Sequence, residues 1–117
     1  MTDTTVGNIT VLVVENHTAH LRRKTGFKDF AEARDYCRRR TRDSIERLRR
    51  PGMRLKALRA EWDKWGTYCI IEGGDEGYHS MSELDSFLAT PATLEQRNWA
   101  LLDSDVTPGR LMKTRER

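Results

Sequence analysis

The amino-acid sequence predicts an α+β domain: an antiparallel sheet of two hairpins, about four strands, packed on helices in the order ββααββαα. Three observations lead there. Residues 9–15 (ITVLVVE) and 67–72 (TYCIIE) are short runs rich in β-branched and aromatic residues, which suits buried strands. Each is followed by turn residues and a stretch able to pair back. Elsewhere apolar residues recur every three or four positions, the period of a helix lying on a core. Hairpins separated by helices imply an antiparallel sheet covered on one face.

With 117 residues the chain supports one core, expected over residues 9–103. Residues 1–8 are expected to be disordered, and 104–117 to form a turn and a basic C-terminal tail. After the first strand, Asn16 and His17 make a turn. Residues 20–24 form a weaker second strand with Leu21 as its inward residue, and Thr25-Gly26 breaks the chain. Residues 27–50 hold the longest helical pattern, with no Pro or Gly. Phe30, Ala33, Cys37, Thr41, Ser44 and Leu48 fall in a wedge of roughly 80°, with Ile45 at its edge. Pro51-Gly52 ends this run.

A second helix is expected over 53–65, with Pro51 in its first turn and Leu55, Leu58, Trp62 and Trp65 on one side. Gly66 stops it. The glycine-rich stretch 73–77 turns the second hairpin, and 78–81 pairs back. Ser82 with Asp85, or Ser80 with Glu83, offers a capping box for a short helix through Phe87 and Leu88. Thr90-Pro91 opens a last helix bearing Leu94, Trp99, Leu101 and Leu102. The expected core comprises Val11, Val13, Phe30, Cys37, Leu48, Leu58, Trp62, Ile70 and Phe87.

Charge is sorted along the chain. Net charge is only +3, yet residues 21–59 hold 15 Lys and Arg against 5 Asp and Glu, a net of +10. Residues 60–109 carry a net of −8 and the last eight residues +3. Within the long helix Asp35–Arg39, Asp43–Arg47 and Glu46–Arg50 stand acid before base at four-residue spacing, worth about 0.2–0.5 kcal/mol each. They mark a solvated outer face that also holds Glu32. Arg34, Arg38, Arg42 and Arg49 lie instead on one acid-free flank of the apolar stripe, a candidate partner-binding edge. Arg22, Arg23 and Lys24 extend it if the second strand returns beside the helix. As exposed, unpaired groups these arginines are expected to tolerate charge reversal without loss of fold.

Most chemistry is set aside. His17 and His20 lack the further ligands zinc needs, and the two cysteines, Cys37 and Cys69, stand far apart without finger spacing. Both read as small buried hydrophobes. The 73–77 glycines surround Asp75 and Glu76, which repel phosphate. Neither these two acids nor Glu61 and Asp63 complete a calcium or nuclease pattern. No nucleophile elbow, zinc-protease pair or P-loop occurs. No catalytic residue, metal or cofactor is therefore expected, and the chain reads as a non-enzyme. The longest apolar run is residues 11–14, too short for a membrane span, and no secretory signal is visible, so a cytoplasmic setting is expected.

What remains is binding of an anionic partner, nucleic acid or nucleoprotein, along the arginine flank. The alternative is a protein-interaction inhibitor or accessory factor that engages a protein or nucleoprotein complex through charged faces. In size and two-signed charge the chain is similar to phage-borne inhibitors such as anti-CRISPR proteins, a likeness of general character.

Overall fold

A computed structural model describes residues 9–73 and 77–103. The segments expected to be disordered (1–8) or a basic tail (104–117), and the centre of the 73–77 turn, lie outside the described residues. The element order is β1 (Thr10–Glu15), β2 (His20–Lys24), α1 (Phe30–Glu46), α2 (Leu55–Trp65), β3 (Thr67–Glu72), β4 (Tyr78–His79), a 3-10 turn (Ser80–Glu83) and α3 (Leu84–Ala89). The sheet order is β2-β1-β3-β4, antiparallel throughout, so the two hairpins join through β1 and β3. This is the α+β fold the sequence predicts. No helix among the described residues is long and apolar enough to cross a membrane.

Two apolar clusters meet beneath α1. Val11 and Val13 of β1 and Cys69 and Ile71 of β3 face α1, where Ala33, Tyr36 and Cys37 close on them with Ile9 and Phe27. Ile45, Leu58, Trp62, Leu84, Phe87 and Leu88 form the second cluster between α1, α2 and α3. The neighbouring Cys69 thiol, reinforced by burial, pushes the Cys37 ionisation far above the usual range. Residues far apart in sequence are thus neighbours, both free and buried as expected.

Several expected positions shift, each for a visible reason. α1 starts at Phe30 because Asp29 caps it, accepting from the Glu32 amide at 2.8 Å. Phe27, left outside the helix, plugs the core, while Phe30 is only half-buried. Leu48 and Ile70 are also half-buried, Ile70 because its register places it on the sheet face away from α1. α2 begins at Leu55, so Pro51 lies in the interhelical turn, where Gly52 takes a positive φ of 78°. Neither proposed capping box forms at α3.

The expected last helix is replaced by two 3-10 turns, Glu95–Arg97 and Ala100–Leu102. Its apolar residues do not share one buried face: Leu94 and Leu101 are exposed, and Trp99 turns in to donate to Asp43 at 3.0 Å. The backbone breaks at Asn98 to allow it.

β4 has only two residues, leaving the β3 edge short of partners. Two serines complete it. Ser80 Oγ, fully buried, accepts from the Cys69 amide (3.0 Å) and shares a 2.6 Å bond with Thr41 Oγ1. Ser44 Oγ on α1 accepts from the Thr67 amide (3.1 Å) and from Trp62 Nε1 (3.0 Å). Holding Trp62 in this way presses its indole onto Gly66, where an added Cβ would lie 2.2 Å from Nε1.

Gly66→Ala is therefore expected to cost about 1–3 kcal/mol by overpacking. Urea denaturation followed by tryptophan fluorescence reads it, and a loss under about 0.5 kcal/mol would mean that Trp62 repacks freely.

Candidate partner-binding groove

α1 is the element on which every charged group of interest converges, because its sequence places arginine on all sides except the apolar stripe. The sheet lies under the stripe. The acidic half of the chain folds over the remaining faces, and here the structure corrects the expectation of an unpaired flank.

Arg38 forms a two-pronged pair with Glu83, Nε to Oε2 at 2.7 Å and Nη2 to Oε1 at 3.1 Å. Arg42 donates to the Thr90 carbonyl at 2.8 Å and lies over the Phe87 ring, 4.7 Å from its centroid. Arg49 pairs with Glu46 at 2.7 Å and donates to the carbonyls of Leu88 (3.0 Å) and Phe87 (3.3 Å). Arg34 lies over the Phe30 ring, 5.6 Å from its centroid. Three of the four flank arginines thus bind the 83–90 segment. Their acid-free neighbourhood along the helix is supplied with acceptors from elsewhere in the chain.

The outer face behaves likewise. Asp35–Arg39 and Asp43–Arg47 form as the spacing predicts, at 3.1 and 3.0 Å. Glu46–Arg50 does not, since Arg49 takes Glu46 three residues on and the helix has already ended. Arg39 also donates to the carbonyls of Glu95 (2.8 Å) and Asn98 (3.3 Å). Asp43, expected on the solvated face, is buried beneath Arg97 and Trp99.

Arg22, Arg23 and Lys24 do not extend the flank. They lie on β2, at the sheet edge opposite β4, whereas Arg38 and Glu83 gather with Tyr78 of β4. Arg22 pairs with Glu15 at 3.0 Å and Lys24 with Asp103 at 3.3 Å.

Between α1 and the 83–96 segment runs a groove of about 390 Å³. Arg38, Arg39 and Arg42 line it with Asp35, Glu83 and Glu95. Glu83 and Glu95 were invisible as site residues in the sequence, where only the net charge of the 60–109 block signals them. Burial alone would raise the Glu83 carboxyl, but hydrogen bonds from Arg38 and Tyr78 outweigh it and hold the group below its ordinary value. Glu46 shows the same balance, with Arg49 and the Ala92 amide outweighing burial. The Arg38 guanidinium is raised mainly by its bond to Glu83.

His17 packs its ring against Trp65 at a tilt of 34°, ring centroids 4.3 Å apart. No group of three or more potential metal ligands occurs among the described residues. No protein-family model matches the chain, and no curated protein or solved structure is significantly similar to it. Fold and groove together define a small α+β domain whose central helix carries a two-signed, arginine-lined face.

Two outcomes are expected. Arg38→Glu with Arg42→Glu should now destabilise the fold by about 1–3 kcal/mol, because carboxylates would face Glu83 and the Thr90 carbonyl. A melting temperature equal to wild type would show these contacts to be inconsequential. The depressed Glu46 and Glu83 values imply stability that is full above the ordinary carboxyl value of 4.5 and lost as pH falls through the lower folded values. Urea midpoints between about pH 7 and about pH 3 should drop less steeply in Glu46→Gln than in wild type. Parallel curves would contradict the linkage.

Proposed function

We propose that the chain is a non-enzymatic interaction module, an inhibitor or accessory factor, that binds a protein or nucleoprotein partner through the groove between α1 and the 83–96 segment. One observation carries this reading: Arg38, Arg39 and Arg42 share the groove with Asp35, Glu83 and Glu95, and each guanidinium is already held by the chain. A guanidinium fixed before binding loses little further freedom on binding. Alternating signs suit a protein surface, where complementary potentials set partner choice and register. A phosphate backbone, of one sign throughout, meets three carboxylates there.

Nucleic-acid binding is the second reading, and a different surface favours it. Arg50, Arg54 and Lys56, around the interhelical turn, are exposed, and their side chains make no hydrogen bond or ion pair among the described residues. They are better placed to meet phosphates than the braced flank is. Neither reading involves a catalytic step, metal or cofactor.

Ser86 is exposed, lines the groove and makes no side-chain hydrogen bond, so Ser86→Arg fills the groove without removing any of its braces. Affinity capture from the source cell should recover a partner with wild type and lose it with Ser86→Arg at unchanged melting temperature. Equal capture by both would overturn the groove as the binding face. Binding to generic DNA or RNA at micromolar strength or tighter, falling steeply with salt and abolished by Arg50→Glu with Arg54→Glu, would establish the second reading instead.

A further inference from the structure

We propose that a cavity on the opposite flank of α1 binds a small free oxyanion, a phosphate or a carboxylate, through the guanidinium of Arg40. The inference is independent of the groove, which lies on the other side of the helix.

Tyr36, Arg40, Asp43 and Arg47 recur at spacings of four, three and four, so they share one flank of α1. Arg40 is the group that needs explaining. It is only 9% exposed. Its Nη1 donates to the Tyr36 hydroxyl at 3.5 Å, the limit of a hydrogen bond, and its guanidinium carbon lies 3.9 Å from the centroid of the Trp99 ring. Among the described residues it forms no ion pair. A guanidinium keeps its charge at any ordinary pH and offers five N–H donors; Arg40 uses one on a long bond, and the others, not sealed from solvent, are left to whatever fills the space beside them.

The nearby carboxylates are already engaged. Glu15 accepts from Arg22 at 3.0 Å. Asp43 accepts from Arg47 at 3.0 Å, Arg97 at 2.9 Å and Trp99 Nε1 at 3.0 Å. The Tyr36 hydroxyl that Arg40 meets donates to Asp103 at 3.0 Å. Three guanidinium groups, of Arg22, Arg47 and Arg97, thus share the carboxylates of Glu15 and Asp43, and Arg40 is paired with neither.

Arg40 opens into a cavity of about 280 Å³ whose walls also include Ser44, Arg47, Trp65 and Trp99, together with the carboxylates of Glu15 and Asp43, both already bonded to other guanidinium groups. That volume corresponds to about nine water molecules, which suits a small anion and is below the usual range for larger ligands. The planar N–H edge of a guanidinium matches two oxygens of a phosphate or carboxylate. Stacking on Trp99 holds the plane of that edge, Arg47 adds a second positive group at the rim, and the indoles and Leu48 provide walls for an apolar body.

The test titrates the full chain with inorganic phosphate and, separately, with acetate, holding ionic strength constant with sodium chloride. Trp65 and Trp99 report binding by fluorescence, and the melting temperature reports it by mass action. A saturable change with half-saturation at or below about 10 mM for either anion, absent with chloride, is expected. Phosphate alone, acetate alone or both would each support the site and say which oxyanion it takes. Arg40→Gln should weaken binding at least about ten-fold and Arg47→Gln a few-fold, while Lys28→Gln, exposed at the far end of α1, leaves it unchanged. If Arg40→Gln fails to fold, the Arg47→Gln titration and the wild-type melting shift decide. No saturable response up to about 50 mM, or unchanged affinity in these two variants, would overturn the proposal and leave Arg40 a hydrated structural cation.

Discussion

Side chains of α1 answer backbone groups that neighbouring segments leave without regular partners, and the rest of the structure depends on this. Ser44, with Thr41 acting through Ser80, completes the β3 edge where β4 stops after two residues. Arg39, Arg42 and Arg49 receive the carbonyls of Phe87, Leu88, Thr90, Glu95 and Asn98, most of them beyond the last α-helical turn. A buried backbone group left unbonded costs about 1–3 kcal/mol, so a short, irregular acidic half can pack only because α1 provides for it. The guanidinium group suits this task, since its several donors reach two or three acceptors at once.

That arrangement changes the meaning of the arginine block. Its charges are largely met within the fold, yet their heads stay at a groove rather than vanishing into the core. Stability therefore draws on these groups. A partner at the groove would meet arginines whose positions are set by Glu83, Glu95 and Thr90, so its preferences would be those of a rigid surface. The opposite flank differs in kind: there Arg40 is buried with too few acceptors, beside carboxylates already engaged.

Much of the fold was legible in the sequence. The β-branched runs identified β1 and β3, the turn residues located both hairpins, and Val11, Val13, Cys37, Leu58, Trp62 and Phe87 are buried as their spacing predicts. Those signals are local, and periodicity reports them well. The site was less legible. Arg34, Arg38 and Arg42 do share a flank of α1, but Arg49 lies beyond the end of the helix and pairs with its Glu46, so the flank is neither complete nor free of acids. Glu83 reaches Arg38 from 45 residues away, and no spacing rule sees that contact. Asp43 was misjudged for the same reason, because the segment ending in Trp99 folds over a face that periodicity marks as wet. The last helix failed because capping and propensity do not register the pull of a tryptophan toward a buried carboxylate.

The serines that finish β3 have a consequence for behaviour at high concentration. Because Ser80 and Ser44 occupy the amides of Cys69 and Thr67, the β3 side of the sheet offers little backbone for an incoming strand. The open edge is β2, whose sequence is HLRRK. Arg22 is paired with Glu15 and Lys24 with Asp103, while Arg23 stays an exposed charge on the edge strand, which discourages edge-to-edge stacking. The sheet is thus guarded against aggregation in two unlike ways, by hydroxyl groups on one margin and by an exposed charge on the other.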